Sequence, residues 1–407
     1  MSMKSNKKLI IPILFIFGIL FGPNFYIAGI SLRVITSSIG LLLLCLNRAD
    51  ILTNNVFRYY IVYVCIYVLV AYLNGDSADE YFYKGLLNWF LPSLLLFLIV
   101  PTYVKSETQL RYLCNVIAFM FVFDVLLSIG QFFNLSIAWN IGNTINVHAS
   151  EYSEYYMERI DVDAGFLGLS IINGMCASVV DNGYFLAVSF PLLFLLKYEA
   201  DDRVKRASVY VLLFLALFAS FAIQQRMGFY LVSLFFLYTI WKESTGRTRF
   251  LIILLGFMAL AGLECIVDNI DLGRIAEASD EDRANTYLRS ISMIFHDSQL
   301  FTIGGEKYYR QFFEHTPHNT LIGAWVYTGI FGFVVFVLLL IKVIKQLLPS
   351  AFLKLNINNI VQYSLATSCL IFLCYSLTHS TGIHNGKGLY FWLFYGLFCK
   401  CQYMKNK

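Results

Sequence analysis

The chain has 407 residues, of which 58% are apolar and only 14% are charged, and its formal net charge is +4. Soluble proteins carry about 25% charged residues, so this composition excludes an ordinary soluble enzyme and predicts an integral membrane protein. The 37 Phe and 27 Tyr residues suit a lipid-facing surface with aromatic residues at its interfaces. The sequence contains no basic cluster of the kind that binds nucleic acid, so we expect no nucleic-acid partner.

The apolar residues occur in runs that predict membrane spans. A helix that crosses a bilayer needs about 20 apolar residues. Twelve runs approach this length, which predicts an all-α, polytopic membrane protein with about 12 transmembrane helices in a single domain, residues 1–407. A basic N-terminus precedes the first run and no cleavage site follows it, so we expect an uncleaved first span. The runs are residues 9–21, 26–46, 56–73, 86–104, 110–133, 183–196, 207–223, 227–241, 250–267, 320–344, 360–377 and 388–399.

The distribution of Lys and Arg predicts the orientation of these spans. If the N-terminus lies in the cytoplasm and the spans alternate, 20 of the 30 basic residues fall on the cytoplasmic side and nine on the other. This excess is what the positive-inside rule requires. Both termini are then cytoplasmic, and the two longest loops, residues 134–182 and 268–317, fall on the outer side. We therefore expect function to face outward, because ordered polar loops usually carry it.

The second long loop contains an amphipathic pattern. From Ala284 to Phe295, apolar residues recur at helical spacing, while Arg289 and His296 lie on the opposite face. This pattern predicts a helix that lies on the outer leaflet of the membrane. A turn is predicted at Gly304-Gly305, where the helical pattern has ended.

A segment with chemical potential, Thr316-Pro317-His318-Asn319-Thr320-Leu321, joins this loop to a long apolar run. Pro317 is suited to the first turn of a helix, so we expect His318 at a helix N-terminus on the membrane surface. There the helix dipole disfavours the imidazolium, and a neutral imidazole can act as a general base. The alternative is a histidine that only forms hydrogen bonds at the interface.

Several arginines lie on the predicted outer side, against the overall trend. Arg226 stands between two apolar runs, where a charge is costly unless it is paired or functional; the alternative is a side chain that binds lipid phosphate. Arg283 and Arg289 lie at the start of the amphipathic helix, and their planar guanidinium groups suit a phosphate or pyrophosphate. Arg159 is surrounded by acidic residues, so a surface ion pair is the simpler interpretation there.

Other polar residues leave alternatives open. Asp124 is the one carboxylate deep in a predicted span, and Arg33 in another span is a possible partner. Cys176 and Cys265 are the two cysteines near the outer side, and the sequence does not decide whether they pair. No acidic cluster has metal-ligand spacing, so we expect no metal and no cofactor.

Short motifs in the second half of the chain resemble those of one known family, the bacterial O-antigen polymerases and O-antigen ligases. These are membrane enzymes that handle undecaprenyl-diphosphate-linked glycans. The family has a Ser-Arg-Gly at a span start, an Arg-x-x-x-Trp helix, a Gly-x-Gly turn and a His-Asn-x-x-Leu segment followed by Gly-x-x-Gly. The similar positions here are Gln225-Arg226-Met227-Gly228, Arg283 with Tyr287, Gly304-Gly305, and 317–321 with Gly329 and Gly332. The departures include Gln for Ser, Tyr for Trp and the missing residue between the two glycines.

The resemblance implies glycosyl transfer at the periplasmic face of the bacterial inner membrane, with undecaprenyl diphosphate as the leaving group. It implies His318 as the general base and Arg226, together with Arg283 or Arg289, as ligands of the diphosphate. Arg159, six residues before a glycine, resembles a polymerase pattern more loosely and is implied as a further substrate ligand. The implied partners are the lipid-linked glycan donor and acceptor, the bilayer and a chain-length regulator.

Two other functions stay open. A ligase would transfer the glycan to lipid A–core, and it would use the same donor and the same basic residues. A transporter or flippase would move lipid-linked glycan without chemistry, but the lack of internal repeats and the scarcity of charges inside the spans count against it. The aromatic composition and the Arg159 pattern favour the polymerase.

Overall fold

The chain folds almost entirely into helices in the computed structural model, which confirms the predicted all-α class. Within the residues that the structure describes, strands are limited to one short hairpin. The described residues are 9–22, 26–46, 54–75, 80–145, 172–176, 178–223, 225–246, 249, 279–313, 317, 319–378, 382 and 387–406.

The elements are named in chain order as follows. They are α1 (Ile10–Leu20), β1 (Tyr26–Ile27), β2 (Ile30–Ser31), α2 (Leu32–Leu46), α3 (Asn55–Leu73), α4 (Glu80–Gly85), a π-helical turn (Leu86–Phe90), α5 (Leu91–Tyr103), α6 (Glu107–Phe132), α7 (Ser136–Ile145), α8 (Val179–Ser189), α9 (Leu192–Glu199), α10 (Arg203–Ala222), α11 (Arg226–Glu243), α12 (Ser279–His296), α13 (Ser298–Thr302), α14 (Glu306–Tyr309), α15 (Thr320–Ala351), α16 (Ile360–Ser376) and α17 (Gly388–Lys405).

Each predicted apolar run that the structure describes overlaps at least one helix, and the run 250–267 lies outside the described residues. Helices α1, α2 and α16 are apolar but shorter than a full span. The apolar helices therefore support a membrane protein, and the number of about 12 spans stays a prediction. In the described part of the chain, the segments long and apolar enough to cross a membrane are Asn55–Leu73, Leu86–Tyr103, Glu107–Phe132, Val179–Glu199, Arg203–Ala222 and Thr320–Ala351.

The second predicted run, 26–46, does not start as a helix. Strands β1 and β2 pair through Tyr26 with Ser31 and Ile27 with Ile30. The two residues between them have positive φ values, 51° at Ala28 and 79° at Gly29, as a tight hairpin turn requires. Because this turn interrupts helical geometry, α2 begins only after it and has 15 residues.

The chain forms two compact units. The first unit contains Met1–Val116, Ser279–Leu353 and Gln362–Lys407, and the second contains Ile117–Ala278 and Lys354–Val361. The predicted first long loop, residues 134–182, contains α7, and the predicted second long loop, residues 268–317, contains α12, α13 and α14.

The first unit has an aromatic core. Tyr60 on α3 and Trp392 on α17 are both buried, and their ring centroids are 4.2 Å apart. Tyr63 on α3 lies 5.3 Å from Phe336 on α15 by the same measure. Large buried aromatic side chains contribute most to core packing, so these contacts fix α15 against α3.

The second unit is also held by aromatic packing. Phe190, in the short break between α8 and α9, is buried and lies 6.1 Å and 6.2 Å from Phe235 and Phe236 of α11. Phe214 on α10 lies 5.9 Å from Phe236. These contacts pack the break between α8 and α9, and also α10, against α11.

Candidate functional site

The described structure covers the predicted site residues unequally. His318 and Arg159 lie outside the described residues. Arg226 and Arg283 are described in their backbone, in α11 and α12, and the Arg289 side chain on α12 is exposed. The segments that carry these residues define the geometry of the candidate site.

Helix α15 begins at Thr320, and Asn319 is its N-cap. The Asn319 Oδ1 atom accepts hydrogen bonds from the backbone N–H groups of Leu321 (2.8 Å) and Ile322 (3.2 Å). The prediction that Pro317 occupies the first helical turn is therefore wrong. An Asn side chain satisfies the first free N–H groups of a helix, so the helix starts after Asn319.

Asn319 also ties this helix start to a second helix. Its Nδ2–H group donates to the backbone oxygen of Leu377, at 2.7 Å, directly after the end of α16. One side chain therefore fixes the backbone next to His318 to the end of α16. An Asn directly before a helical apolar run is an N-cap signal, and it predicts the first of these roles but not the second.

Helix α15 is interrupted at Gly329, where φ is 60° and ψ is −167°. The turn at Gly304-Gly305, with φ values of 79° and 140°, enters this break, and the Gly305 N–H group donates to the Val326 oxygen at 2.7 Å. A Cβ atom at Gly304 would lie 2.8 Å from that oxygen, and one at Gly329 would lie 2.6 Å from the carbonyl carbon of Ile303. Neither position has room for a side chain. We call this contact the glycine crossing.

Asn74, at the end of α3, supports the glycine crossing. Its Nδ2–H group donates to the Gly304 oxygen at 2.9 Å, and its Oδ1 atom accepts from Gln299 Nε2 at 3.3 Å. The turn is therefore held by α15 through backbone atoms and by α3 through one amide side chain.

Helix α12 confirms the helix predicted from Ala284. Ile294 packs inside the protein, but Leu288, Ile291 and Phe295 are exposed by 66%, 40% and 61%. Exposed apolar residues of this size on one helix mark a surface that contacts lipid or another protein. This exposure agrees with the prediction of a helix that lies on a membrane surface.

A groove of about 480 Å³ runs beside these residues. It contains one permanent cation, Arg289, and one imidazole, His296. The Nδ1 atom of His296 lies 2.7 Å from the Ser292 carbonyl oxygen; since a carbonyl can only accept, Nδ1 carries the proton. The Nε2 atom of a neutral His296 is then an acceptor. The groove is lined by Leu288, Arg289, Ser292, Met293, His296 and Phe313.

Asp297 fixes the segment that leads from α12 to the glycine crossing. Its carboxylate accepts from the backbone N–H of Leu300 (2.9 Å) and from the Tyr308 hydroxyl (2.7 Å). These bonds, the first above all, hold the pKa of Asp297 below its usual range. Asp297 is therefore a structural carboxylate that stays ionised, not a candidate base.

Helix α11 begins at Arg226. The N-terminus of a helix carries a partial positive charge, so a cation is unfavourable there unless an anion is near. The backbone N–H groups of the same helix end also suit an anion. A cation at this position is therefore favourable only with an anion beside it, and the role of Arg226 stays a prediction.

The second unit contains a buried polar cluster, which we call the polar anchor. Asp124 and Gln131 lie two helical turns apart on α6 and are buried. Asp124 Oδ1 accepts from the Met175 N–H at 2.7 Å, and Gln131 Oε1 accepts from the Gly174 N–H at 2.9 Å. These bonds hold the irregular segment 172–176 against α6.

The polar anchor also corrects the pairing considered for Asp124. Arg33 donates its Nε–H to the Ile19 oxygen at 2.8 Å, and Asp124 accepts from the backbone. Each side chain binds a backbone group, the Ile19 oxygen or the Met175 N–H, that would otherwise lack this hydrogen-bond partner. Cys176 is buried, and Cys265 lies outside the described residues.

Comparison with known proteins adds no family to these observations. No model of a known protein family and no curated protein sequence matches the chain. In the part of the chain that the structure describes, no three His, Cys, Asp or Glu side chains form a group suited to a metal ion. The expectation of metal-free chemistry stays a prediction.

Proposed function

We propose that the chain is an integral membrane glycosyltransferase of the O-antigen polymerase type. It crosses the bacterial inner membrane about 12 times, with both termini in the cytoplasm. Its loop 268–317 lies in the periplasm, and its active site is on that face. It joins oligosaccharide repeat units that are linked to undecaprenyl diphosphate.

The glycine crossing is the observation that supports this proposal most. Gly304-Gly305 and Gly329 belong to separate parts of the resemblance, more than 20 residues apart in the sequence, yet the Gly305 N–H donates to Val326 in the turn before Gly329. Asn319, from the same motif as Gly329, caps the helix. The glycines and the asparagine of these motifs have no reactive side chain. The proposal gives them a structural role, as the frame of one site.

The proposed reaction needs one proton acceptor and one anion site. His318 takes the proton from the acceptor sugar hydroxyl, whose oxygen then forms a bond to the anomeric carbon of the donor glycan. The bond between that carbon and the diphosphate oxygen breaks, and undecaprenyl diphosphate leaves with the electron pair. Arg226, with Arg283 or Arg289, offsets the charge that grows on the diphosphate, and Arg159 contributes to substrate binding.

The groove on α12 is a suitable place for a lipid diphosphate to enter. Arg289 supplies a guanidinium to this groove, Leu288 also lines it, and Phe295 on the same helix is exposed. Guanidinium groups form paired, charge-assisted bonds with phosphate oxygens. A lipid tail along the apolar side chains would bring its diphosphate to Arg289.

A lipopolysaccharide gel from a strain that lacks the gene tests the proposal against its alternatives. We expect lipid A–core with a single repeat unit, because the units are ligated but not polymerised. Bare core with accumulated lipid-linked polymer would instead indicate a ligase. Bare core without outward-facing lipid-linked units would indicate a flippase. The last two results would each overturn the polymerase.

Substitution of Arg226 tests the anion site. Arg226→Ala should abolish polymer while the protein still inserts into the membrane, and Arg226→Lys should restore little, since a point charge cannot form the paired contact. Lys307→Ala is the matched control, because Lys307 is an exposed basic residue of α14 outside the proposed site. Full activity of Arg226→Ala would exclude Arg226 as a ligand of the diphosphate. The remaining interpretation would be a side chain that only binds the phosphate of a membrane lipid.

A further inference from the structure

The groove on α12 has two chemically different ends. Its polar lining residues, Arg289, Ser292 and His296, are spaced by three and four residues, so they share one face of the helix. At the rise of an α-helix, His296 lies about 10 Å beyond Arg289 along the helix axis. A guanidinium therefore lies towards one end of the groove, and an imidazole lies towards the other.

The Arg289 end of the groove offers positive charge. Among the described residues, no ion pair includes Arg289. The carboxylate of Asp297, directly after α12, accepts from the Leu300 N–H and the Tyr308 hydroxyl instead. A guanidinium of this kind can form paired, charge-assisted bonds with phosphate oxygens. This end of the groove suits the anionic part of a ligand.

The His296 end of the groove offers a hydrogen-bond acceptor. The Nδ1–H group donates to the Ser292 carbonyl oxygen at 2.7 Å, and the Ser292 hydroxyl lies 3.5 Å from the same nitrogen. Nε2 of the neutral ring is then an acceptor, and the oxygens of an ionised phosphate are acceptors too, so the two cannot form a hydrogen bond. A hydroxyl group can donate to Nε2. This end of the groove therefore suits a neutral group that carries hydroxyls.

An aromatic side chain, Phe313, forms part of the groove and is fixed against α12. Its ring stacks on that of Tyr309, with the centroids 4.6 Å apart. The Tyr309 hydroxyl lies within hydrogen-bond distance, 2.7 Å, of the buried Ser290 hydroxyl on α12. Ligand sites typically combine such apolar or aromatic lining with a few polar groups that fix the orientation of the ligand. The C–H face of a sugar ring is an apolar surface that can pack against a phenyl ring.

The His296 end of the groove adjoins α15. Phe295, the residue before His296, has its ring centroid 5.5 Å from that of Trp325 on α15. The Trp325 Nε1–H group donates to the Phe301 oxygen at 3.2 Å. Trp325 lies one helical turn before the break at Gly329. The imidazole end of the groove is therefore the end held against the helix that follows the proposed base.

We propose that this groove holds the diphosphate of the donor together with the sugar attached to it, and that His296 is a specificity-determining residue for this sugar. Arg289 binds the diphosphate, the Nε2 atom of His296 accepts from a sugar hydroxyl, and Phe313 packs against the ring. This inference rests on the proposed function, because it assigns the ligand of the same transfer. His296 binds the donor and takes no proton in the reaction.

Equilibrium binding of two lipids to the purified full chain in mild detergent tests this role. One is undecaprenyl diphosphate, and the other is undecaprenyl diphosphate that carries the repeat unit. His296→Ala should weaken binding of the second lipid about threefold to tenfold, as the loss of one hydrogen bond implies, and should not change binding of the first. His296→Gln should retain binding of both, because its Oε1 atom can accept from the hydroxyl.

Arg289→Gln should weaken binding of both lipids by about tenfold or more, because it removes a charged contact to the group that they share. Lys307→Gln is the matched control, since it removes an exposed charge of α14 outside the groove and should change neither affinity. His296 is exposed, so its substitution leaves the core intact, and retained binding of undecaprenyl diphosphate reports that the variant is folded.

Three results would overturn the role of His296 and leave the proposed function standing. They are unchanged binding of the repeat-unit lipid to His296→Ala, equal weakening of both lipids by that variant, and an equal loss with His296→Gln. The last would show that the shape of the imidazole matters and its acceptor does not. Failure of the wild type to bind either lipid would instead contradict the proposed function and this inference together.

Discussion

The glycine crossing in the first unit and the polar anchor in the second both hold an irregular segment against a long helix. In the glycine crossing, backbone meets backbone, and the Gly305 N–H donates to Val326 with no space for a side chain. In the polar anchor, the side chains of Asp124 and Gln131 reach the backbone of segment 172–176. The first contact requires residues without a side chain, and the second requires particular polar side-chain atoms.

This difference predicts how each region responds to change. A contact between backbones leaves no freedom to rearrange, so an added methyl group must move a helix. A contact through side chains allows an isosteric side chain to keep the same hydrogen bond. The glycine crossing should therefore be the more sensitive of the two, and it is the one that frames the proposed active site.

The largest expected effect is at Gly304. Gly304→Ala adds a Cβ against α15 at a positive φ, and overpacking and backbone strain each cost about 1–3 kcal/mol. We expect a fall in unfolding free energy of about 3 kcal/mol or more, measured as loss of folded protein on heating in detergent. Gly29→Ala is the matched control, because it has the same φ of 79° with no atom within 4 Å. Equal losses at the two positions would refute close packing as the cause.

A smaller effect is expected at Asp124. Asp124→Ala leaves the buried Met175 N–H without its acceptor, which costs about 1–3 kcal/mol. Asp124→Asn keeps an oxygen in the same place, so we expect most of the stability to return. The measurement is the same thermal unfolding, with protection of the backbone amide of Met175 from hydrogen exchange. If Asn were as damaging as Ala, the charge rather than the hydrogen bond would hold this segment.

The smallest effect is expected at Asp297, which caps α13 on the approach to the glycine crossing. Asp297→Ala should cost about 1 kcal/mol, and Asn should restore most of it. The pKa of Asp297 is lowered in the folded chain, so its contribution is complete above the unfolded value of about 3.9 and is lost as pH falls through the folded value. Unfolding between pH 5 and 2 should show this loss in the wild type, and Asp297→Asn should lack it.

The sequence predicted most of the helices, because apolar runs at this composition have few other solutions. It also predicted α12, whose pattern is local, and the turn at Gly304-Gly305. It did not predict that this turn enters a break at Gly329, because the contact joins residues that are distant in the chain. Asn319 was overlooked in favour of Pro317, although both are helix-start signals, since the cap rather than the proline decides where the first free N–H groups are satisfied.

The cavity of about 470 Å³ among α9, α10 and α11 shows the same limit. The positive-inside rule assigned Lys197, Arg206, Lys242 and Lys354 to one side of the membrane, and all four line one cavity. Their convergence depends on the packing of α9, α10 and α11, which no local pattern encodes. Asp124 was recognised as unusual for its position in a span, but its partner was sought among charges and is a backbone amide.

Turnover by the purified chain tests the proposed glycosyl transfer most directly. The full chain would be placed in a bilayer with undecaprenyl-diphosphate-linked repeat units, and glycan length and released undecaprenyl diphosphate would be measured together. We predict longer lipid-linked glycans, with one undecaprenyl diphosphate released for each bond formed. His318→Gln should lower this rate about 10²–10⁴-fold, since glutamine can hydrogen-bond the acceptor but cannot take its proton. No new glycosidic bond with the wild type would contradict the proposed function, and near-normal chain length with His318→Gln would contradict the assignment of the base.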